Sequence, residues 1–208
     1  MAQKPERQSE QTDRRTAEVF RTAAKIILRK GYDATSVSDI ADALGITKAG
    51  LYHYIRGKTD LLYEIMKYGL RELDREVMVP ATKIENPEER LRFMISTHAR
   101  LVTRGDGAVT ILVDEARALS AAQFRAVTRL KRAYLEALRD ALEALRKQGK
   151  LRDIDTTVAA FGVIAMVNWL SRWYQPDGKL TAAEIADQIV DIALFGLLKR
   201  SRRGIALV

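Results

Sequence analysis

Cysteine is absent from the 208-residue chain, and histidine occurs only twice. Neither a disulfide nor a thiolate metal site can form, and two histidines are too few for a typical zinc site. Proline is scarce at 4 residues and glycine stops at 12. With Ala, Leu, Arg and Glu plentiful, that scarcity argues for long helices with few turns, an all-α fold. Long apolar stretches are missing too. No run reaches the roughly 18 uncharged residues of a membrane-spanning helix, and the N-terminus has no hydrophobic signal core, so a cytoplasmic location without membrane association is expected. No nucleophile–base pair, metal-ligand spacing or phosphate loop is present either, so neither an enzyme nor a cofactor is expected. What the chain has in excess is positive charge: +8 net, with a pI near 9.8. That balance favours a polyanionic partner.

The stretch from Thr35 to Lys58 gives that partner a chemistry. Ser36 or Ser38 can N-cap a first short helix whose apolar face is Ile40, Ala41 and Leu44. Gly45 supplies the backbone freedom of a helix end, and Ile46 plugs the corner. Thr47 N-caps a second helix with Leu51 and Ile55 pointing in and Lys48, Gly50, Tyr52 and His53 pointing out. Two short helices around a Gly-containing turn make a helix-turn-helix. Small Ala41 lets the helices cross closely. The outward set offers a cation, two aromatics with polar tips, small residues and a hydroxyl near the helix N-terminus, which suits a DNA major groove. An ordinary αα-corner would share the helices and the glycine, so the flanking residues decide.

Those flanks carry a resemblance. From Arg21 to Leu70, the A-A-x-x-x-x-x-x-x-G-Y-x-x-T-S lead-in, the I-A-x-x-x-G-I turn, the G-x-L-Y-x-Y helix and the K-x-x-L-L opening of the next helix resemble the DNA-binding domain of the TetR family of repressors. Ile55 stands where that pattern has Phe and can fill the same core position. Gly57 replaces the usual Ser or Asn and so removes a side chain that could meet phosphate. The resemblance implies an N-terminal three-helix DNA-binding domain followed by a larger helical domain that binds an effector and dimerises. It assigns DNA contacts to Thr35, Ser36, Thr47, Lys48, Ala49, Gly50, Tyr52, His53, Tyr54 and Lys58.

In order, residues 1–13 read as a disordered polar tail, 14–58 as the DNA-binding domain, 59–200 as the ligand-binding and dimerisation domain and 201–208 as a basic flexible tail. Arg14 and Arg15 open the first helix, Thr16 to Lys30, where they could lie against phosphate. A fourth helix starts at Thr59-Asp60 and is expected to stop before Pro80. Asn86-Pro87-Glu88-Glu89 is a helix start, and a shorter helix should cover about 108–119. Ser120 with Gln123 caps a long helix closed by Gly149, whose cations Arg125, Arg129, Lys131 and Arg132 read as a solvated face. Asp155 or Thr156 opens a helix that is apolar nearly all round, and Thr181 with Glu184 caps the last. Two adjoining helices this apolar imply a homodimer through a four-helix bundle, hence a pseudo-palindromic DNA operator.

For the effector, the candidate pocket is lined by Met94, His98, Val113, Arg117, Tyr134, Phe161, Met166, Trp169, Arg172 and Trp173. Plain core packing competes with ligand binding for the aromatic and Met residues. Polar residues on apolar faces say more, because burying them unpaired costs roughly 1–3 kcal/mol. They are His98, Asp114, Arg117, Asn168 and Arg172, although an ion pair of Asp114 or Glu115 with Arg172 would also account for charge there. The segment from Trp169 to Thr181 (W-x-x-x-W-Y-x-P-x-G-x-L-T) is similar to TetR-type regulators of fatty-acid and sterol breakdown, several of which respond to acyl-CoA thioesters. A repressor released by a hydrophobic small molecule such as an acyl-CoA is the expectation. A multidrug-efflux regulator answering to lipophilic or cationic drugs is the alternative, and a constitutive DNA binder would need no pocket.

Overall fold

The computed structural model describes residues 4–105, 107–114 and 118–199, with side chains over 14–105, 107–112 and 118–199. It is all-α: α1 Lys4–Lys30, α2 Val37–Ala43, α3 Lys48–Leu51, α4 Lys58–Leu73, a π-helical turn Asp74–Met78, α5 Val79–Ala81, α6 Pro87–Thr103, α7 Ile111–Asp114, α8 Ala121–Lys147, α9 Thr156–Trp173 and α10 Ala182–Leu197. Among the described residues the one extended pairing is an antiparallel bridge between Leu151 and Leu198. The chain divides into two compact units, one running to Leu73 and adding Arg104–Lys131, the other taking Asp74–Thr103 and everything from Arg132. The sequence places the boundary at 58/59; compactness groups α4 with the N-terminal helices instead.

In the first unit, α1 buries Val19, Phe20, Ala23, Ala24 and Ile27. They meet α4, which buries Leu61, Leu62, Ile65, Met66 and Leu70. Phe20 and Tyr68 add a tilted ring pair at 6.0 Å. The helix α1 is longer than expected. It begins at Lys4, inside the stretch expected to be a disordered tail. Lys, Glu, Arg and Gln are good helix formers, and Pro5 is tolerated in a first turn, so local propensity extends the helix without an apolar stripe.

The segment after α6 returns to this unit, and a helical residue without a side chain makes room for it. A Cβ on Gly69 of α4 would stand 2.3 Å from the carbonyl oxygen of Ala108. Of the helix expected over about 108–119, the described residues show Ile111–Asp114 as α7, and 115–117 lie outside the described residues. Lys131, expected on a solvated face, is half-buried and donates to the Leu112 carbonyl of α7. Burial lowers its pKa. A part-buried ammonium that donates to a backbone carbonyl keeps its hydrogen bonding on leaving water.

The second unit packs α6 against α9 and α10. Asn86 Oδ1 accepts from the amides of Glu88 and Glu89 at 2.9 and 3.4 Å and starts α6. Asp155 rather than Thr156 caps α9, taking the amides of Thr157 and Val158. Thr181 and Glu184 close a complete capping box at α10. Pro80 does not end its helix outright: the chain passes through the π-helical turn and Pro80 falls in the first turn of α5. A proline lacks the N–H that the ladder would require, and a wider turn accommodates the loss.

Candidate nucleic-acid interface and effector site

The reading helix is placed by its caps. Ser36, not Ser38, caps α2. Its hydroxyl accepts from the Asp39 amide at 3.0 Å, and Asp39 Oδ2 takes the Ser36 amide at 2.7 Å and its hydroxyl at 2.6 Å. These bonds, with Lys30 at 2.9 Å, hold the Asp39 carboxyl well below the usual range. At the other end, the amides of Gly45 and Ile46 bond the carbonyls of Asp42 and Ala41 at 3.1 and 3.0 Å. Gly45 has φ 63°. This double closure is a Schellman motif, and it needs the left-handed residue that glycine supplies. Thr47 then accepts from the Gly50 amide at 3.0 Å and opens α3.

The result is a one-turn helix with two unlike faces. Leu51 is fully buried and Ile55 nearly so. Thr47, Lys48, Ala49, Tyr52 and His53 are exposed, with Tyr52 at 47%. Gly50 and Tyr54 are half-buried. Seven of the ten expected DNA-contact residues therefore share one accessible turn.

The other three are occupied. Thr35 is 2% exposed and donates its hydroxyl to the Gly31 carbonyl at 2.8 Å, so it ties down the end of α1 and does not face outward. The Ser36 side chain is spent on its cap. Lys58 donates to the Asp33 carbonyl at 3.1 Å and sits 4.3 Å over the Tyr32 ring, while Tyr32 and Thr59 hydroxyls bond at 3.2 Å. Its ammonium fastens the α1–α2 loop to α4 and keeps two further donors. Arg15 pairs with Glu18 at 2.6 Å.

The effector candidates split. Met94, His98 and Tyr134 are buried in the second unit at 1%, 2% and 4% exposure. Met166 is half-buried. Phe161, Trp169, Arg172 and Trp173 instead lie exposed on α9. Among the described residues they do not line one enclosed cavity, because the helical period sends Ala160, Val163, Val167 and Leu170 inward and the aromatics outward. The side chain of Val113, and all of Arg117 and Glu115, lie outside the described residues; so does the Asp114 side chain and the tail 201–208. The exposed aromatics of α9 share their character with α10, where Ile192 and Phe195 are 59% and 66% exposed.

Inside the unit, Tyr134 Oη and His98 Nδ1 bond at 3.0 Å, with the rings edge-on at 86°. Among the described residues His98 Nε2 has no hydrogen-bond partner. Burial pushes the imidazole down to about 4, opposed by the nearby Asn168 side chain, and pushes the Tyr134 phenol up. Both are neutral at physiological pH. Among the described residues no group of three or more His, Cys, Asp or Glu could hold a metal, and no helix is long and apolar enough to cross a membrane.

Comparison with known proteins bears on both regions. Residues 19–65 match the model of bacterial regulatory proteins of the tetR family, and residues 85–197 match a tetracyclin repressor-like C-terminal domain. The transcriptional repressor KstR2 of Rhodococcus jostii is 32% identical over 186 residues, 88% of this chain and 91% of that protein. Among solved structures, AibR in complex with isovaleryl coenzyme A and operator DNA is 38% identical with a TM-score of 0.78, covering 86% of this chain and 97% of that one. KstR2 of Mycobacterium tuberculosis, a ketosteroid transcriptional regulator, gives 28% and 0.81 over 89% and 96%.

Proposed function

Because the chain belongs to the TetR family of transcriptional regulators, we propose that it is a repressor whose homodimer binds a pseudo-palindromic operator and is released by an acyl-CoA thioester. The observation that carries the DNA half is the uncovered turn of α3, where Lys48, Tyr52 and His53 stand exposed above a fully buried Leu51. Among the described residues of the first unit, nothing accounts for a basic, aromatic, solvent-facing helix turn fixed by a cap at each entry. A major groove does.

Dimerisation is supported by α9 and α10, which expose Val158, Phe161, Trp169, Trp173, Ile192 and Phe195. Monomeric proteins rarely leave so many large apolar side chains on adjoining helices, and a two-fold four-helix bundle would cover them. It would also enclose the aromatic effector candidates of α9 together with Arg172, which no single copy encloses. The effector class is supported by AibR, crystallised with isovaleryl coenzyme A, and by the ketosteroid regulator KstR2. The coupling we propose runs along the backbone, from α6 of the effector unit on to Ala108 and Val109, which pack against Gly69 of α4 within the reading unit.

Selection from randomised DNA duplexes tests the assignment. It should recover an inverted repeat with half-sites about one helical turn apart, and Lys48→Ala and Tyr52→Ala should lose it while sedimenting at twice 23.4 kDa. Recovery of an asymmetric site, or a monomeric protein at micromolar concentration, would contradict the reading. In a thermal-shift panel, acyl-CoAs of graded length should raise the melting temperature. Stabilisation by cationic dyes with no thioester response would favour a drug-type sensor.

A further inference from the structure

His98 is one of only two histidines in the chain, and it lies in the apolar core of the effector unit. Met94 precedes it by one turn of α6, Leu138 follows Tyr134 by one turn of α8, and both are buried. Its bond to Tyr134 can be drawn in two ways. If the phenol donates to Nδ1, the imidazole proton sits on Nε2, and one polar hydrogen, Nε2–H, is left without a partner among the described residues. If Nδ1–H donates to the phenol, both the Tyr134 O–H and the Nε2 lone pair are left without one, since Tyr134 makes no second hydrogen bond among the described residues. Each unpaired buried polar group costs roughly 1–3 kcal/mol, so the first arrangement wins.

We propose that this Nε2–H is the polar anchor of the effector site, and that it takes a neutral carbonyl oxygen, a thioester or ketone, in preference to a carboxylate. The inference rests on the ligand-responsive reading above and narrows it. The hydrogen is a donor aimed away from Tyr134, in a residue 2% exposed, with the half-buried Asn168 beside it. A carboxylate placed there would need a cation to offset its desolvation. Among the described residues none is seen there: burial lowers the basicity of His98 against an opposing effect of the Asn168 side chain, burial alone raises the pKa of Tyr134, and no charged group contributes to either. An uncharged acceptor meets the donor without that cost. The aliphatic surroundings suit the carbon chain that flanks such a carbonyl.

The probe is a pair of coenzyme A derivatives, octanoyl-CoA and its thioether analogue octyl-CoA, which differ by the one carbonyl oxygen. The full-length protein should bind octanoyl-CoA about tenfold more tightly, the equivalent of one buried hydrogen bond. The double variant His98→Phe/Tyr134→Phe removes both polar partners together, which leaves no orphan. It should bind the two compounds equally, at the wild-type affinity for octyl-CoA. In the wild type, imidazole nitrogen NMR should show His98 as the Nε2–H tautomer, with the Nε2 resonance moving on addition of octanoyl-CoA and staying put with octyl-CoA. His53→Gln identifies the signal, and this spectrum decides the matter even where the double variant does not fold. Equal binding of both compounds to the wild type, as when a water alone satisfies Nε2, would overturn the anchor while leaving the acyl-CoA reading in place. An Nδ1–H tautomer would overturn it as well. Failure of both compounds to bind would overturn the acyl-CoA reading and the anchor with it.

Discussion

The turn of α3 and the long face of α9 both expose aromatic side chains, yet they are built in opposite ways. The exposed residues of α3 sit on four helical residues held by Thr47, Gly45 and the buried Leu51. Each of those constraints acts within a few residues of chain. The exposed residues of α9 sit on an eighteen-residue helix whose inward stripe is complete without them. A short motif fixes its own outward face, because caps and turns leave one conformation. A long helix fixes only its period, and which of its apolar residues end up covered depends on surfaces elsewhere in the chain or on a second copy.

Substitutions can break that contrast, beginning with the largest effect. Leu51→Ala removes a fully buried side chain beneath the reading turn and should cost about 2–5 kcal/mol in denaturant unfolding, with loss of DNA binding. Trp169→Ala should leave the fold of one copy intact while weakening self-association, read by sedimentation.

The buried pair comes next. The folded pKa of His98 lies near 4, below its usual 6.5, so the unfolded chain takes up a proton first as pH falls. Its contribution is fully present above pH 6.5 and is lost progressively toward pH 4. Unfolding measured at pH 7.5 and 4.5 should therefore differ by roughly 2–3 kcal/mol from this residue, and His98→Phe/Tyr134→Phe should remove that part of the slope.

Smaller effects sharpen the distinction between cap and contact. Thr47→Ala should cost about 1 kcal/mol of stability, because the Gly50 amide loses its acceptor. Tyr52→Ala should change stability by less than about 0.5 kcal/mol and still weaken operator binding about tenfold or more, since its side chain is exposed and supports nothing. Equal losses of stability and affinity in Tyr52→Ala would erase the difference between the two roles.

The same contrast explains what could be read in advance. The capping boxes at Ser120 and Thr181, an N-cap at Ser36 or Ser38, the Asn86 cap and the helix-ending glycine at 45 are local chemistry, and the structure has each of them, with Ser36 as the cap. The helix-turn-helix was legible for that reason. Thr35 was misplaced because a hydroxyl before a cap says nothing about whether it turns in to the Gly31 carbonyl or out to solvent. Lys131 was misplaced because its partner, the Leu112 carbonyl, is nineteen residues away. The start of α1 at Lys4 escaped a search for apolar periodicity, having none. The effector candidates merged two sets: Met94, His98 and Tyr134 are buried on α6 and α8, whereas Phe161, Trp169 and Trp173 lie on the exposed side of α9.

The most direct test of the whole account is fluorescence anisotropy of a selected operator duplex bound by the wild-type dimer, titrated with acyl-CoA thioesters. The account predicts saturable release of the DNA by a thioester at concentrations where free coenzyme A has no effect. An operator complex that no thioester dissociates, although the same thioester binds the protein, would contradict it.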